Sequence, residues 1–77
     1  MRSIYKIANE IHHDWKHVNY AALPYLRAMG DLDSINDNYG QDSAKSVILY
    51  FLSNATSWRG DTARRIKAEF KQLLKGV

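Results

Sequence analysis

The sequence predicts an all-α fold, a compact bundle of three main helices with one or two short helical segments. Three observations support this. Apolar residues recur every three or four positions in three separate stretches. Capping residues and glycines fall between those stretches. The one β-branched and aromatic run, Ser46 to Leu52, has no second strand-like segment to pair with, so it reads as a buried helix.

Helix 1 follows a cap at Ser3, whose hydroxyl is placed to accept from the first-turn N–H groups. Ile4, Ile7, Ala8, Ile11, Trp15 and Val18 fall on an arc of about 100°. Lys6, Glu10, His13 and His17 lie opposite. Asn19 then breaks the chain before a shorter helix, Tyr20 to Met29, with Pro24 tolerable in its first turn and Gly30 as a stop free to take positive φ. Residues 31–40 read as a polar connection with one helical turn, capped by Asp33 or Ser34 and ended by Gly40. Leu32 and Ile35 pin it to the core.

Helix 3 starts after an Asp42 or Ser43 cap and runs to about Ala55. Its stripe is Ala44, Val47, Ile48, Phe51, Leu52 and Ala55, with Leu49 and Tyr50 outside it, so the helix is apolar nearly all round and belongs at the centre. Helix 4 begins at Ser57 or at Asp61, with Ala63, Ile66, Phe70, Leu73 and Leu74 inward.

Length and composition narrow the function. The chain has 77 residues, no cysteine and one proline, enough for a single domain over residues 1–77 with a small core. Without cysteine there is no disulfide, thiolate metal site or cysteine nucleophile, which fits a cytoplasmic location. No run approaches the ~20 apolar residues of a membrane span, and Met1 to Lys6 lacks the apolar core of a signal peptide.

The net charge of +3 is segregated. Residues 31–42 hold Asp31, Asp33, Asp37 and Asp42 and no base, whereas residues 59–75 hold Arg59, Arg64, Arg65, Lys67, Lys71 and Lys75 against Asp61 and Glu69. Arg64, Lys67, Lys71 and Lys75 share one side of helix 4, a basic ridge. Such a ridge suits a phosphate backbone, an acidic protein surface, a membrane surface of anionic lipids, or simply water. Pairing with the aspartate-rich segment would cancel it.

No constellation for catalysis stands out, and no cofactor is expected. His13 and His17 have the i, i+4 spacing of a zinc pair and resemble H-E-x-x-H, but the acid is Asp14 and the face is exposed; surface histidines are expected. The aspartates of 31–42 fail the calcium-loop pattern, with Asn36 where glycine is needed and Asp42 where glutamate is needed. Asn54-Ala55-Thr56 is formally a glycosylation acceptor, meaningful only after secretion. A helix-turn-helix from helices 3 and 4 would need a shorter turn than this sequence offers, and the bases of helix 4 continue to its C-terminal end. Trp15, Phe51 and Phe70 lie on core stripes. Trp58 either staples the start of helix 4 or, with Arg59, anchors a partner; Tyr5 and Tyr50 are further interface candidates. Burying Leu49 and Tyr50 would favour a homodimer.

The segment from Tyr50 to Lys67, together with Asp14-Trp15, Pro24-Tyr25-Leu26, Tyr39-Gly40 and Asp42-Ser43, resembles small proteins encoded by phages and prophages of Gram-positive bacteria such as staphylococci, lactobacilli and listeriae. The resemblance implies an accessory product acting inside an infected or lysogenic cell, and carries no catalytic residue to this chain. The expectation is therefore a non-enzymatic protein that binds a host or phage protein through Trp58, Arg59, Arg64, Lys67, Lys71 and Lys75, with nucleic-acid binding through the same ridge as the alternative.

Overall fold

The structure, a computed structural model, describes residues 2–76. Four helices, α1 (Ile4–Asp14), α2 (Leu23–Met29), α3 (Ala44–Ser53) and α4 (Asp61–Lys75), are joined by turns and by a short antiparallel hairpin, β1 (Asn38–Tyr39) with β2 (Asp42–Ser43). The fold is mainly helical, and the hairpin departs from the purely helical expectation.

The four helices turn one apolar stripe each towards a single buried cluster. From α1 it takes Ile4, Ile7, Ala8 and Ile11; from α2, Leu26, Ala28 and Met29; from α3, Ala44, Val47, Ile48 and Phe51; from α4, Ala63, Ile66, Phe70 and Leu73. Helix α3 packs on α2, α4 and both strands, while α1 packs on α2 and α4. Helix α3 is not buried on all sides as expected: its stripe packs inward, but Leu49 and Tyr50 outside that stripe are exposed. Leu32 is buried and Ile35 partly buried, so both hold the intervening segment to the core.

The helix ends differ from the sequence expectation in instructive ways. Ser3 has the extended backbone of an N-cap, but its hydroxyl caps nothing. The first-turn donors instead meet the 32–33 backbone: Ile4 N–H donates to the Asp33 carbonyl at 2.9 Å and Tyr5 N–H to Leu32 at 2.8 Å. Orphan donors at a helix start need a partner, not a particular side chain. Ser43 does cap α3, accepting from Ser46 N–H at 3.1 Å.

Helix α1 stops at Asp14 rather than near Val18, because Trp15 leaves the helix with φ −94° and ψ 91°. Residues 20–22 form a turn instead of the start of α2, in which Asn19 Oδ1 accepts from Ala21 N–H at 3.1 Å. Pro24, early in α2, costs no hydrogen bond there. Gly30 is not the positive-φ stop that was expected: its φ is −63°. What restricts it is space, since a Cβ would sit 3.2 Å from the Arg27 carbonyl.

The left-handed position falls at Gly40 instead, with φ 61° between the two strands. No residue other than glycine has positive φ among those described, so Gly40 followed by Gln41 matches the type II′ pattern of tight hairpins. Asp37 closes the segment before it, its Oδ2 accepting from Asp33 N–H at 2.9 Å and Ser34 N–H at 3.1 Å. These bonds hold its carboxyl below the usual carboxylate range.

Candidate interaction surface

The residues expected to bind a partner lie along α4 and in the 54–60 connection that precedes it. That connection is made by backbone turns, Ala55 N–H to the Leu52 carbonyl at 3.3 Å and Trp58 N–H to Ala55 at 3.1 Å. Gly60 then takes φ 117°, a region closed to most side chains, and turns the chain into α4.

Trp58 is not an exposed anchor. The residue is 2% exposed, its ring is stacked on Trp15, and its indole N–H donates to Asp14 Oδ2 at 2.8 Å. The sequence could not locate it because it lies on no helical stripe. Its aromatic neighbours are Trp15, just past the end of α1, and Phe51 of α3, both more distant in sequence than the start of α4.

Lys67 also changes role. Its Nζ donates to the carbonyl of Ala55 at 2.8 Å and of Trp58 at 2.7 Å, and lies 5.8 Å from the Trp58 ring centroid. It is a clasp on the 54–60 connection before it is a surface charge. Burial, then repulsion from Arg59 and Lys71, holds its ammonium below the ordinary lysine range.

The remaining cations divide cleanly. Arg64 meets only the fully solvated Asp61, at 3.5 Å. Arg65 turns the other way and pairs with Glu10 of α1. Arg59, Lys71 and Lys75 are exposed and have no acidic partner among the described residues. Among those residues, too, no ion pair joins the aspartates of 31–42 to α4. The acids that meet α4 come from elsewhere: Glu10 binds Arg2 and Arg65, and Glu69 on α4 takes Arg2 at 2.6 Å. The basic ridge is thus not cancelled by the aspartate-rich segment.

Trp58, Arg59, Gly60, Ala63, Arg64 and Lys67 line an open groove of about 300 Å³. Of these, Trp58 and Ala63 are almost wholly buried, and Arg59, Arg64 and Lys67 bring positive charge to the groove. A second exposed region holds Leu49 and Tyr50 of α3, with the Tyr50 ring 5.4 Å from that of Tyr25.

His13 and His17 do not form a ligand pair on one helix face. His13 is on α1, while His17 lies beyond the turn-off at Trp15, and both are exposed. Among the described residues no group of three or more His, Asp or Glu side chains is placed to hold a metal ion. Also among them, no helix is long and apolar enough to cross a membrane. A helix-turn-helix would need a connection of roughly three to four residues, and residues 54–60 separate α3 from α4. Comparison with family models, with curated proteins and with solved structures found no match.

Proposed function

We propose that this chain is a non-catalytic binding module, a phage or prophage accessory protein that engages a host or phage protein inside a bacterial cell through the basic side of α4. The observation that carries this reading is the survival of the charge segregation in the fold: Arg59, Lys71 and Lys75 stand exposed without acidic partners among the described residues. Complementary charge brings such a face to an acidic partner and fixes its orientation. The resemblance to phage-encoded proteins supplies the setting.

A pull-down from a Gram-positive host lysate tests it. Arg59→Glu, Arg64→Glu and Lys71→Glu together should abolish capture, while Lys45→Glu on α3 should leave it intact. Lys67 is kept, because reversing it would break the 54–60 connection. Equal recovery of the same proteins by the triple variant ends the proposal.

Nucleic-acid binding is the second reading, favoured by the same unpaired cations. Two features weigh against it: the long connection between α3 and α4, and Asp61 in the first turn of α4, where a recognition helix meets bases. Anisotropy with duplex DNA at two salt concentrations decides, since phosphate contacts make affinity fall steeply with salt.

A further inference from the structure

We propose that a groove formed by the start of α2 and the hairpin seats a proline-rich segment in the polyproline II conformation, with one basic residue at its end on Asp42. This surface shares no residue with the basic side of α4, and it stands or falls apart from the reading above.

The groove has a volume of about 560 Å³ and is lined by Tyr20, Ala21, Leu23, Pro24, Arg27 and Tyr39. These residues face outward. Tyr20 is 90% exposed and Tyr39 43%, Ala21, Pro24 and Arg27 are exposed as well, and Leu23 is half-buried. A ring as free as that of Tyr20 encloses nothing, whereas a small-molecule pocket has to bury most of its ligand. What the groove offers is apolar ring surface for a chain laid across it.

Its polar chemistry is one-sided. Arg27 carries only donors, and each tyrosine hydroxyl has one to give. None of these three side chains is hydrogen-bonded or ion-paired among the described residues. No carboxylate lines the groove. A proline-rich chain is the matching guest, since each proline keeps its carbonyl and lacks an N–H. Polyproline II makes no internal hydrogen bonds, so those carbonyls are free to accept. Its pyrrolidine rings pack on aromatic faces, and its conformation is ordered before it binds. An ordinary extended peptide would bring N–H donors that these side chains cannot match.

Charge selects the end of the guest. Tyr39 pairs with Asp42 across the hairpin, which puts both side chains on one face of it. Asp42 is exposed and has no cationic partner among the described residues. A lysine or arginine next to the prolines gives it one. The same carboxylate repels a nucleic-acid strand, which tyrosine rings alone would attract by stacking.

The test uses the full chain and four labelled probes: six prolines followed by arginine, six prolines followed by glutamate, a glycine–serine run of equal length followed by arginine, and single-stranded oligothymidine. The proline–arginine peptide should bind about tenfold more tightly than the glycine–serine peptide, which has its charge but neither its rings nor its order. Tyr20→Ala should weaken that binding about tenfold, as loss of an aromatic anchor does, and leave the melting temperature unchanged because the ring is exposed. Asp42→Asn should bring the proline–arginine and proline–glutamate peptides to within about twofold of each other. Lys71→Gln on α4 should change binding less than about twofold. The backbone amide resonances of Ala21, Leu23, Arg27 and Tyr39 should shift on binding. Equal binding of the proline–arginine and glycine–serine peptides, binding of neither, tighter binding of the glutamate peptide, or full affinity in Tyr20→Ala overturns the proposal. Tighter binding of oligothymidine overturns it in favour of a nucleic acid. Shifts of the same amides on raising the protein concentration alone overturn it in favour of a second copy of the chain.

Discussion

The indole of Trp15 stacks on that of Trp58 with centroids 5.7 Å apart and planes 12° from parallel. Phe51 meets both rings edge-on, at 6.1 and 6.2 Å, and Phe70 meets Phe51 at 6.2 Å. Four aromatics, from the residue that ends α1, from α3, from the 54–60 connection and from α4, therefore form one cluster. Each such pair contributes ~0.5–1.5 kcal/mol beyond the area it buries. Asp14, next to Trp15, takes the Trp58 N–H, so two consecutive residues hold one ring by its face and its edge.

Trp58→Ala should cost ~3–5 kcal/mol, the usual cost of emptying an aromatic site in a core. In a domain this small that is comparable to the whole stability, and the variant should be largely unfolded by circular dichroism. Asp14→Ala keeps the ring but strands its N–H. Urea denaturation should show a loss of about 1–2 kcal/mol. A change indistinguishable from zero would mean that solvent replaces the carboxylate.

Lys67→Met should destabilise by ~1–3 kcal/mol, because it preserves the aliphatic stem and removes the donor from two carbonyls. Lys71→Met, on the same side of α4, should stay within about 0.5 kcal/mol of the parent. Equal midpoints for the two variants in urea would show that Lys67 is an ordinary surface lysine.

Gly60→Ala should cost ~1–3 kcal/mol purely through backbone conformation, since φ 117° excludes a side chain while the space around it is open. Gly40→Asn, at φ 61°, should be better tolerated because asparagine is among the residues that positive-φ hairpin turns accept. Thermal melts of the two variants compare these costs directly.

The acid limb of the stability curve should depend on Glu10. Arg65 and then Arg2 hydrogen-bond its carboxylate and hold it below its ordinary value near 4.5. The unfolded chain therefore takes up a proton at Glu10 before the folded one does. Stability from this group is complete above about 4.5 and declines as pH falls through the lower folded value. Melting temperatures measured from neutral pH to pH 3 should fall less steeply for Glu10→Gln than for the parent. Parallel curves would remove Glu10 from the explanation.

The helical stripes were legible because a local period records them. Ile4, Ile7, Ala8 and Ile11 announce α1, and Ala63, Ile66, Phe70 and Leu73 announce α4, without reference to the rest of the chain. The strands have two residues each, too short to show alternation, and the signal for them was Gly40 alone. The end of α1 was missed because Trp15 continues the helical spacing while its backbone turns off to meet Trp58. At the candidate surface the charges were readable and their partners were not. Nothing near Glu10 in sequence points to Arg65, and nothing near Lys67 points to the carbonyls of Ala55 and Trp58. A side chain with no periodic neighbours has its role set by tertiary contacts.

The contact of α1 with α4, fastened by Arg2 on Glu69 across 67 positions of sequence, has a consequence on the ribosome. While α4 is still inside the exit tunnel, the face of α1 that it covers is open to water, and the aromatic cluster lacks Phe70. Covering that face of α1 and completing the aromatic cluster both wait for α4, whereas the packing of α1 and α3 on α2 does not.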